Sequence, residues 1–329
     1  MVLATDTDAG DAVCVILNEN GTLCMDSMLT VVAGPTDMDS GDFDNDGDVD
    51  LAVTGIGSDQ LQILENDGAG VFSIAATYST GNKPIALSVF DWNNDALADI
   101  ALINQDDDTL YVYTNTSSLR SLGFGSPNSV ATSEEPIGIS PGEIDNPGDK
   151  QDDIIVSLSA GNQVVRLSNP GDDSDWVVNQ IIDVGDRPNT IEQLDVGGTI
   201  GNVLLVANEG SDSMSVLAAD ATGSLDVVAS IDIEATPIGM TTVDMDGDAD
   251  RDLAMLVKGN FGNDIRIYRN DTDTSSDGGI VLALDEVLMD SGLPILISNG
   301  DTDNDGNDDL VSITGSDTGR RSGLETLSV

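Results

Sequence analysis

The stretch that decides the fold is Asp42-Phe43-Asp44-Asn45-Asp46-Gly47-Asp48-Val49-Asp50. Carboxylates fall at loop positions 1, 3, 5 and 9, and alternate residues of a tight loop turn their side chains towards one centre. Gly47 permits the sharp bend that exposes the backbone carbonyl at position 7. All of these ligands are hard oxygens, so the loop predicts a Ca²⁺ site. Mg²⁺ fits less well because it keeps several waters in a rigid octahedron.

The same spacing recurs at 91–99, 244–252 and 301–309. The first of these copies has a neutral Asn at position 3, and two of them carry Ala where Gly is expected. Four copies in phase with a repeated proline, described below, are not a chance run, and we predict about four calcium sites. The predicted ligands, including the residue at position 7, are Asp42, Asp44, Asp46, Asp48, Asp50, Asp91, Asn93, Asp95, Leu97, Asp99, Asp244, Asp246, Asp248, Asp250, Asp252, Asp301, Asp303, Asp305, Asn307 and Asp309.

Two further repeats depart from this pattern. One needs a two-residue insertion containing Pro147, and it predicts at most a weak fifth site, with candidate ligands Glu143, Asp145, Asp149 and Asp153. The other offers only Asp195 before Val196-Gly197-Gly198, and no metal is expected there.

Prolines mark the period of the repeat. Pro35, Pro84, Pro136, Pro188, Pro237 and Pro294 are separated by 49, 52, 52, 49 and 57 residues. Proline suits the first residue of a strand, where no ladder donor is needed. Most of these prolines begin a similar apolar phrase, and in most repeats an Asp-rich loop, a second apolar run, a third alternating run and a fourth strand follow. Four short antiparallel strands in about 50 residues are typical of β-propeller blades.

This period predicts an all-β fold in a single domain. Full blades are expected at 35–83, 84–135, 136–187, 188–236 and 237–293, with partial blades at 1–34 and 294–329. That arrangement has seven blade phases. A six-bladed ring is the alternative, in which the strand near 23–32 completes the C-terminal strands.

These motifs resemble the FG-GAP and VCBS repeat families, which include the propeller heads of integrin α subunits. The resemblance implies that each loop joins the first and second strands of a blade and binds Ca²⁺. At loop position 2 it favours packing of Phe43 and Trp92 beneath the loop over stacking on a ligand. The segment 206–216 also looks like a lactonase-type propeller repeat, which supports the fold and transfers no activity.

Composition excludes several classes of function. The chain has 60 acidic and 11 basic residues and a net charge of -49, so nucleic acid and anionic membrane surfaces are not expected partners. No apolar run reaches the ~20 residues of a membrane-spanning helix. The chain has no His, which excludes His-based triads and His-ligated zinc.

The two cysteines flank a predicted hairpin turn at 18–21. Cys14 and Cys24 could therefore face each other across two strands, and a disulfide between them is left open.

We expect an extracellular, secreted or cell-surface binding or adhesion module for a protein or polysaccharide, not an enzyme. The start of the chain lacks a signal peptide, so we expect the export signal to lie outside it. Two alternatives remain: a structural repeat segment of a larger multidomain surface protein, and a calcium-dependent, lyase-like enzyme acting on polysaccharides. The loops expected to face a ligand are 105–109, 208–213 and 259–264.

Overall fold

The computed structural model is built almost entirely of short antiparallel strands. It describes residues 2–7, 10–18, 23–142, 153–168, 176–196, 201–245, 247–248, 250–259, 262–272, 280–288, 293–300, 309–315 and 321–327. Within this part of the chain the one helical element is a 3₁₀ turn at Gln105–Asp107.

The chain divides into two compact units, with the change falling near residue 181. The strands of the first unit are β1 (Val2–Thr7), β2 (Gly10–Asn18), β3 (Leu23–Thr30), β4 (Pro35–Gly41), β5 (Asp50–Gly55), β6 (Gln60–Asn66), β7 (Phe72–Ser79), β8 (Pro84–Phe90), β9 (Asp99–Asn104), β10 (Thr109–Tyr113), β11 (Asn128–Ala131), β12 (Pro136–Gly142), β13 (Asp153–Leu158), β14 (Gln163–Ser168) and β15 (Val177–Asp183).

The second unit continues the same arrangement. Its strands are β16 (Pro188–Asp195), β17 (Asn202–Asn208), β18 (Ser213–Ala219), β19 (Leu225–Asp232), β20 (Thr236–Val243), β21 (Asp252–Gly259), β22 (Gly262–Asn270), β23 (Leu282–Leu288), β24 (Leu293–Gly300), β25 (Asp309–Gly315) and β26 (Arg321–Leu327).

Consecutive strands pair into small meanders. Five sheets have four strands each, β4–β7, β8–β11, β12–β15, β16–β19 and β20–β23, whereas β1–β3 and β24–β26 form sheets of three. Each four-stranded sheet begins at or one residue before a repeat proline, and a register shift follows every one of these prolines. Proline lacks the N–H that a regular ladder requires, so a bulge is the expected local response. The all-β fold class with four-stranded antiparallel blades is confirmed.

The core lies along the second and third strands of each blade. Every residue of β5, β9 and β13 is buried. The fourth strands carry mostly exposed residues, as in β7 and β15. Because the second strand is covered on both faces, it shows a continuous apolar run instead of alternation.

The strand register bears on the open question of a disulfide between Cys14 and Cys24. Cys14 on β2 pairs with Met28 of β3, whereas Cys24 pairs with Leu17. The two cysteines are therefore three to four residues out of register, or about 10 Å along the strands. A disulfide needs Cα atoms within about 7 Å, so this register does not place the cysteines for a cross-strand bridge.

Candidate metal sites

The loop 42–50 joins the first and second strands of its blade, β4 and β5. Asp42, Asp44 and Asp50 each offer a carboxylate oxygen, and these atoms all lie within 4.8 Å of one another. No other group of three acidic or cysteine ligands meets this condition in the part of the chain that the structure describes. Asp44 and Asp50 are buried, and burial raises the pKa of both carboxyls. Repulsion among the three favours a cation at their centre.

Backbone N–H groups hold the carboxylates in place. The Asp50 Oδ2 atom accepts a hydrogen bond from the Phe43 N–H at 3.0 Å, and its Oδ1 accepts one from the Asn66 N–H at 2.8 Å. The Asp42 carboxylate accepts the N–H groups of Asp46 (3.1 Å) and Gly47 (2.9 Å). Gly47 has φ of 98°, a left-handed conformation that glycine adopts without strain. The loop is thus preformed around a set of hard oxygen atoms that suits Ca²⁺.

Two further predicted ligands of this loop, Asp46 and Asp48, are not part of the group within 4.8 Å. The Asp46 Oδ1 accepts the Asp48 N–H at 3.0 Å, and its Oδ2 lies 3.9 Å from Nε of Arg120. The Asp48 carboxylate lies beside the 66–71 turn, where a Cβ built on Gly68 would be 2.5 Å from its Oδ2. The backbone carbonyl of Asp48 remains the predicted ligand at position 7, while its side chain lies at this turn.

The loop 91–99 repeats these hydrogen bonds. The Asp99 carboxylate accepts the N–H groups of Trp92 (3.2 Å) and Asn115 (2.6 Å), while Asp91 accepts those of Asp95 (3.0 Å) and Ala96 (2.8 Å). Burial raises the pKa of Asp99 to about 7. The three aspartates of this loop are not drawn together within the distance reached in loop 42–50.

The other two loops are described in part. The Asp252 carboxylate accepts the N–H groups of Met245 (3.0 Å) and Asn270 (2.8 Å), so position 9 of loop 244–252 repeats the same bonds. Asp246 lies outside the described residues, as do the predicted ligands of loop 301–309 before Asp309. Asp309 itself is buried at the start of β25.

The weak fifth candidate has a different environment. Asp153, at its position 9, contacts Arg166 on β14, with 2.7 Å from Nε and 2.5 Å from a terminal guanidinium nitrogen to the same Oδ2. Both side chains are buried. Glu143, Asp145 and Asp149 lie outside the described residues.

Sequence reasoning missed an asparagine that accompanies three of the loops. Asn66, Asn115 and Asn270 stand at or just beyond the end of a third strand, and each donates its N–H to the position 9 carboxylate. The Asn115 side-chain nitrogen also donates to the carbonyls of Ala98 (2.9 Å) and Phe43 (3.0 Å). The signal was available, since an Asn follows the third apolar run in each of these repeats.

The residue at loop position 2 packs beneath its loop, as predicted. Phe43 is fully buried, and its ring meets Phe124 in a T-shaped contact at 5.8 Å. Trp92 is buried and meets Trp176 at 6.0 Å. The second aromatic residue of each pair belongs to the following blade, so these contacts fasten neighbouring blades together.

Turns between second and third strands also form hydrogen bonds to the next blade within the first unit. The Asp59 Oδ1 accepts the N–H of Lys83 at 2.9 Å, and the Asp108 Oδ1 accepts the N–H of Glu135 at 2.9 Å. Each donor lies immediately before the first strand of the next blade. The turn 105–109, which was expected to face a ligand, therefore also has an interblade role.

Comparison with known proteins identifies the repeat. A family model described as an FG-GAP-like repeat matches residues 42–102, which include the two described Asp-rich loops of the first unit. The recognition of FG-GAP repeats is thereby confirmed. No curated protein matches the chain.

Solved structures share the fold over nearly the whole chain. A putative 6-phosphogluconolactonase from Bacteroides uniformis has a TM-score of 0.69 at 13% identity, covering 100% of this chain and 96% of its own. A Lactobacillus plantarum protein has a TM-score of 0.68 at 15% identity, with coverage of 100% and 96%. The periplasmic gluconolactonase of Pseudomonas aeruginosa has a TM-score of 0.60 at 15% identity, with coverage of 98% and 82%. The chain has a β-propeller fold.

These neighbours correct one expectation from the sequence. The chain was expected not to be an enzyme, yet chains of the same fold bear lactonase names. The absence of histidine and the assignment of conspicuous carboxylates to metal loops were therefore too weak a basis for that expectation. At 13–15% identity the likeness concerns the fold. In the described part of the chain, no helix has the length and apolar character needed to cross a bilayer.

Proposed function

We propose that this β-propeller with FG-GAP-like repeats is a calcium-stabilised module that binds a protein or polysaccharide outside the cell. The observation that carries the calcium part is the group formed by Asp42, Asp44 and Asp50, whose oxygens lie within 4.8 Å of one another. Two of these carboxyls are buried, and burial raises the pKa of both. The attraction of a divalent cation offsets both the desolvation penalty and the mutual repulsion.

The loop chemistry favours calcium over other metals. Its side-chain ligands are carboxylates, with a backbone carbonyl at position 7 as a further oxygen, and no nitrogen or sulfur ligand is present in the loop. Extracellular calcium modules bind with Kd of about 10⁻⁴–10⁻³ M, so such sites fill outside cells and empty inside them. This range supports an extracellular location.

A calcium titration tests the metal part of the proposal. Isothermal titration calorimetry compares the wild type with Asp44→Asn, which keeps an oxygen acceptor but removes one charge. We expect the variant to lose one site, or to bind it at least ten-fold more weakly. The matched control is Asp226→Asn, the same change at an exposed position on β19. Identical isotherms for wild type and Asp44→Asn would contradict the proposal.

The binding part is tested with ligands. The immobilised chain is probed with acidic and neutral polysaccharides and with protein libraries, in calcium and then in EDTA. We expect ligand retention in calcium, loss in EDTA and recovery when calcium is restored. Equal retention of ligand in calcium and in EDTA would contradict a calcium-stabilised binding surface. The names of the lactonase neighbours make sugar lactones the first small molecules to include.

A further inference from the structure

The blade β8–β11 has a long connection between its third and fourth strands. Residues 114–127 join β10 to β11, whereas 67–71 suffice to join β6 to β7. The longer connection contains a small hairpin, 115–124, with antiparallel bridges at its base and near its tip. Its tip is closed by two backbone hydrogen bonds between Ser118 and Ser121, of 2.7 and 3.1 Å. This blade therefore carries one ordered element beyond its four strands.

Hairpin 115–124 lies against loop 42–50 of the preceding blade. At its base, the Asn115 side-chain nitrogen donates to the Phe43 carbonyl at 3.0 Å. At its tip, the Arg120 backbone N–H donates to the carbonyl of the next loop residue, Asp44, at 2.9 Å. The hairpin is thus fixed to the loop at both ends, and the Arg120 side chain is held near the loop carboxylates.

The guanidinium of Arg120 approaches one of these carboxylates. Its Nε lies 3.9 Å from the Asp46 Oδ2, with the Arg120 side chain 74% exposed and that of Asp46 11% exposed. Asp46 occupies loop position 5 and is a predicted ligand, but it is not one of the three aspartates whose oxygens lie within 4.8 Å of one another. The carboxylate that stands outside this group is the one that an arginine of the next blade approaches.

Loop 91–99 treats its position 5 carboxylate differently. There the Asp95 Oδ2 accepts a hydrogen bond from the side-chain nitrogen of Asn93, at position 3 of the same loop, at 3.1 Å. Loop 42–50 has Asp44 at position 3, so it gains a negative charge and loses that donor. The positive charge of Arg120 therefore accompanies the loop that carries the additional carboxylate.

Exposure separates Arg120 from the other arginine that meets a blade carboxylate. Arg166 is buried together with Asp153, and a buried pair is costly to break. Arg120 is mostly exposed and makes a longer contact, and an ion pair of that kind contributes little to stability. A divalent ion carries twice the charge of a guanidinium and so attracts the same carboxylate more strongly.

We propose that Arg120 is a displaceable internal cation of loop 42–50. Its guanidinium pairs with Asp46 while the loop holds no metal, and Asp46 leaves it to join the other three carboxylates when calcium is bound. Arg120 therefore lowers the calcium affinity of the loop, and the state of the loop is passed to the hairpin of the next blade. This inference rests on the proposed calcium binding of loop 42–50.

Removal of the charge tests the competition. Arg120→Gln keeps a polar side chain without the charge, and isothermal titration calorimetry compares it with the wild type at the site that Asp44→Asn loses. A unit charge about 7 Å from a divalent ion changes binding roughly two- to seven-fold in water, with the smaller factor at physiological salt. We expect Arg120→Gln to bind calcium more tightly by that factor, and Arg120→Lys to bind as the wild type does. A purely structural role predicts the opposite sign, because damage to the hairpin would weaken the site.

The matched control is Lys83→Gln, which removes one positive charge elsewhere in the same unit. Lys83 pairs with Asp106 at 3.4 Å and precedes β8, roughly 20 Å along the strands from the Asp-rich loops. We expect its calcium affinity to equal that of the wild type. In about 1 M salt, where the Debye length is about 3 Å, the difference between Arg120→Gln and the wild type should fall below about two-fold. Circular dichroism checks that each variant is folded.

Nuclear magnetic resonance of protein labelled with nitrogen-15 in arginine follows the side chain itself. The Nε–H signal of Arg120 is the one absent from the spectrum of Arg120→Lys. We expect calcium to move this signal in the wild type. We also expect Asp46→Ala to place the signal, without calcium, where calcium places it in the wild type.

Equal or weaker calcium binding by a folded Arg120→Gln, or an Arg120 Nε–H signal that saturating calcium leaves unmoved, would each overturn the proposal. Both measurements remain decisive if Asp46→Ala does not fold. A wild type whose isotherm matches that of Asp44→Asn would overturn the calcium binding of the loop, and this inference with it. Loss of the Arg120 effect alone would leave the calcium site in place, so the two failures are distinguishable.

Discussion

Loop 42–50 and the region around Asp153 place a buried carboxylate at the same point of a blade, at the start of its second strand. Asp50 is held by two backbone N–H groups, and two further carboxylates crowd it. Asp153 instead contacts the buried guanidinium of Arg166. One blade therefore supplies the compensating positive charge from its own arginine side chain, whereas we propose that the other takes a cation from solution.

This difference explains how the repeat around Asp153 keeps the blade fold although its acidic loop departs from the regular Asp spacing. A buried carboxylate needs compensation wherever it lies, and a guanidinium or a divalent ion can supply it. Under the proposed calcium binding, we expect the blade with the guanidinium to keep its stability at any calcium concentration. We expect a blade without it to lose stability when the ion is removed.

Chelation should have the largest effect, because it empties all predicted loops together. At calcium concentrations 100 times Kd, each filled site adds about 2.7 kcal/mol to the free energy of unfolding. We expect EDTA to lower the melting temperature markedly in differential scanning calorimetry, and added calcium to restore it. An unchanged melting temperature in EDTA would contradict the proposal that some blades depend on calcium while the blade with Arg166 does not.

The change Arg166→Met should come next, at about 3–5 kcal/mol of lost stability in urea unfolding. It leaves the Asp153 charge buried without its guanidinium. We expect the loss in calcium and in EDTA alike, and partial recovery in the double variant Arg166→Met/Asp153→Leu. A loss below about 1 kcal/mol would show that Asp153 is compensated in another way.

The asparagines should have a smaller effect. The change Asn115→Ala removes the donors of two carbonyls at a buried position, and we expect a cost of about 2–3 kcal/mol. The change Asn66→Ala removes one carbonyl donor at a partly exposed position, and we expect about 1 kcal/mol. Urea unfolding of the two variants compares them directly, and a larger loss at Asn66 would contradict the interblade role of Asn115.

A half-buried carboxyl outside the loops gives the most specific test. Burial raises the pKa of Glu192 from 4.5 to about 7, and the charge of nearby Arg251 opposes that rise. The folded state then holds the Glu192 proton more tightly than the unfolded chain does. The free energy of unfolding therefore falls as the pH rises from 4.5 to about 7. We expect Glu192→Gln to flatten the decline, measured by urea unfolding at about pH 5 and about pH 8. A steeper decline of stability with pH in Glu192→Gln than in the wild type would contradict the raised pKa of Glu192.

Much of the site could be predicted from the sequence because the chemistry is local. The alternating aspartates of loop 42–50 lie within nine residues, and their convergence follows from the turn itself. The partner of Asp153 could not be predicted in this way. Arg166 lies 13 residues away on the neighbouring strand, and the register between the strands decides that the two meet.

The sequence alone determined the repeat period, the four-stranded blades and the acidic loops, because strand length, proline position and ligand spacing are properties of short segments. The tertiary structure decided which buried carboxylate meets an arginine side chain and which aromatic residues pack into the next blade. Those outcomes depend on contacts between blades, and such contacts arise from packing geometry that no single repeat encodes.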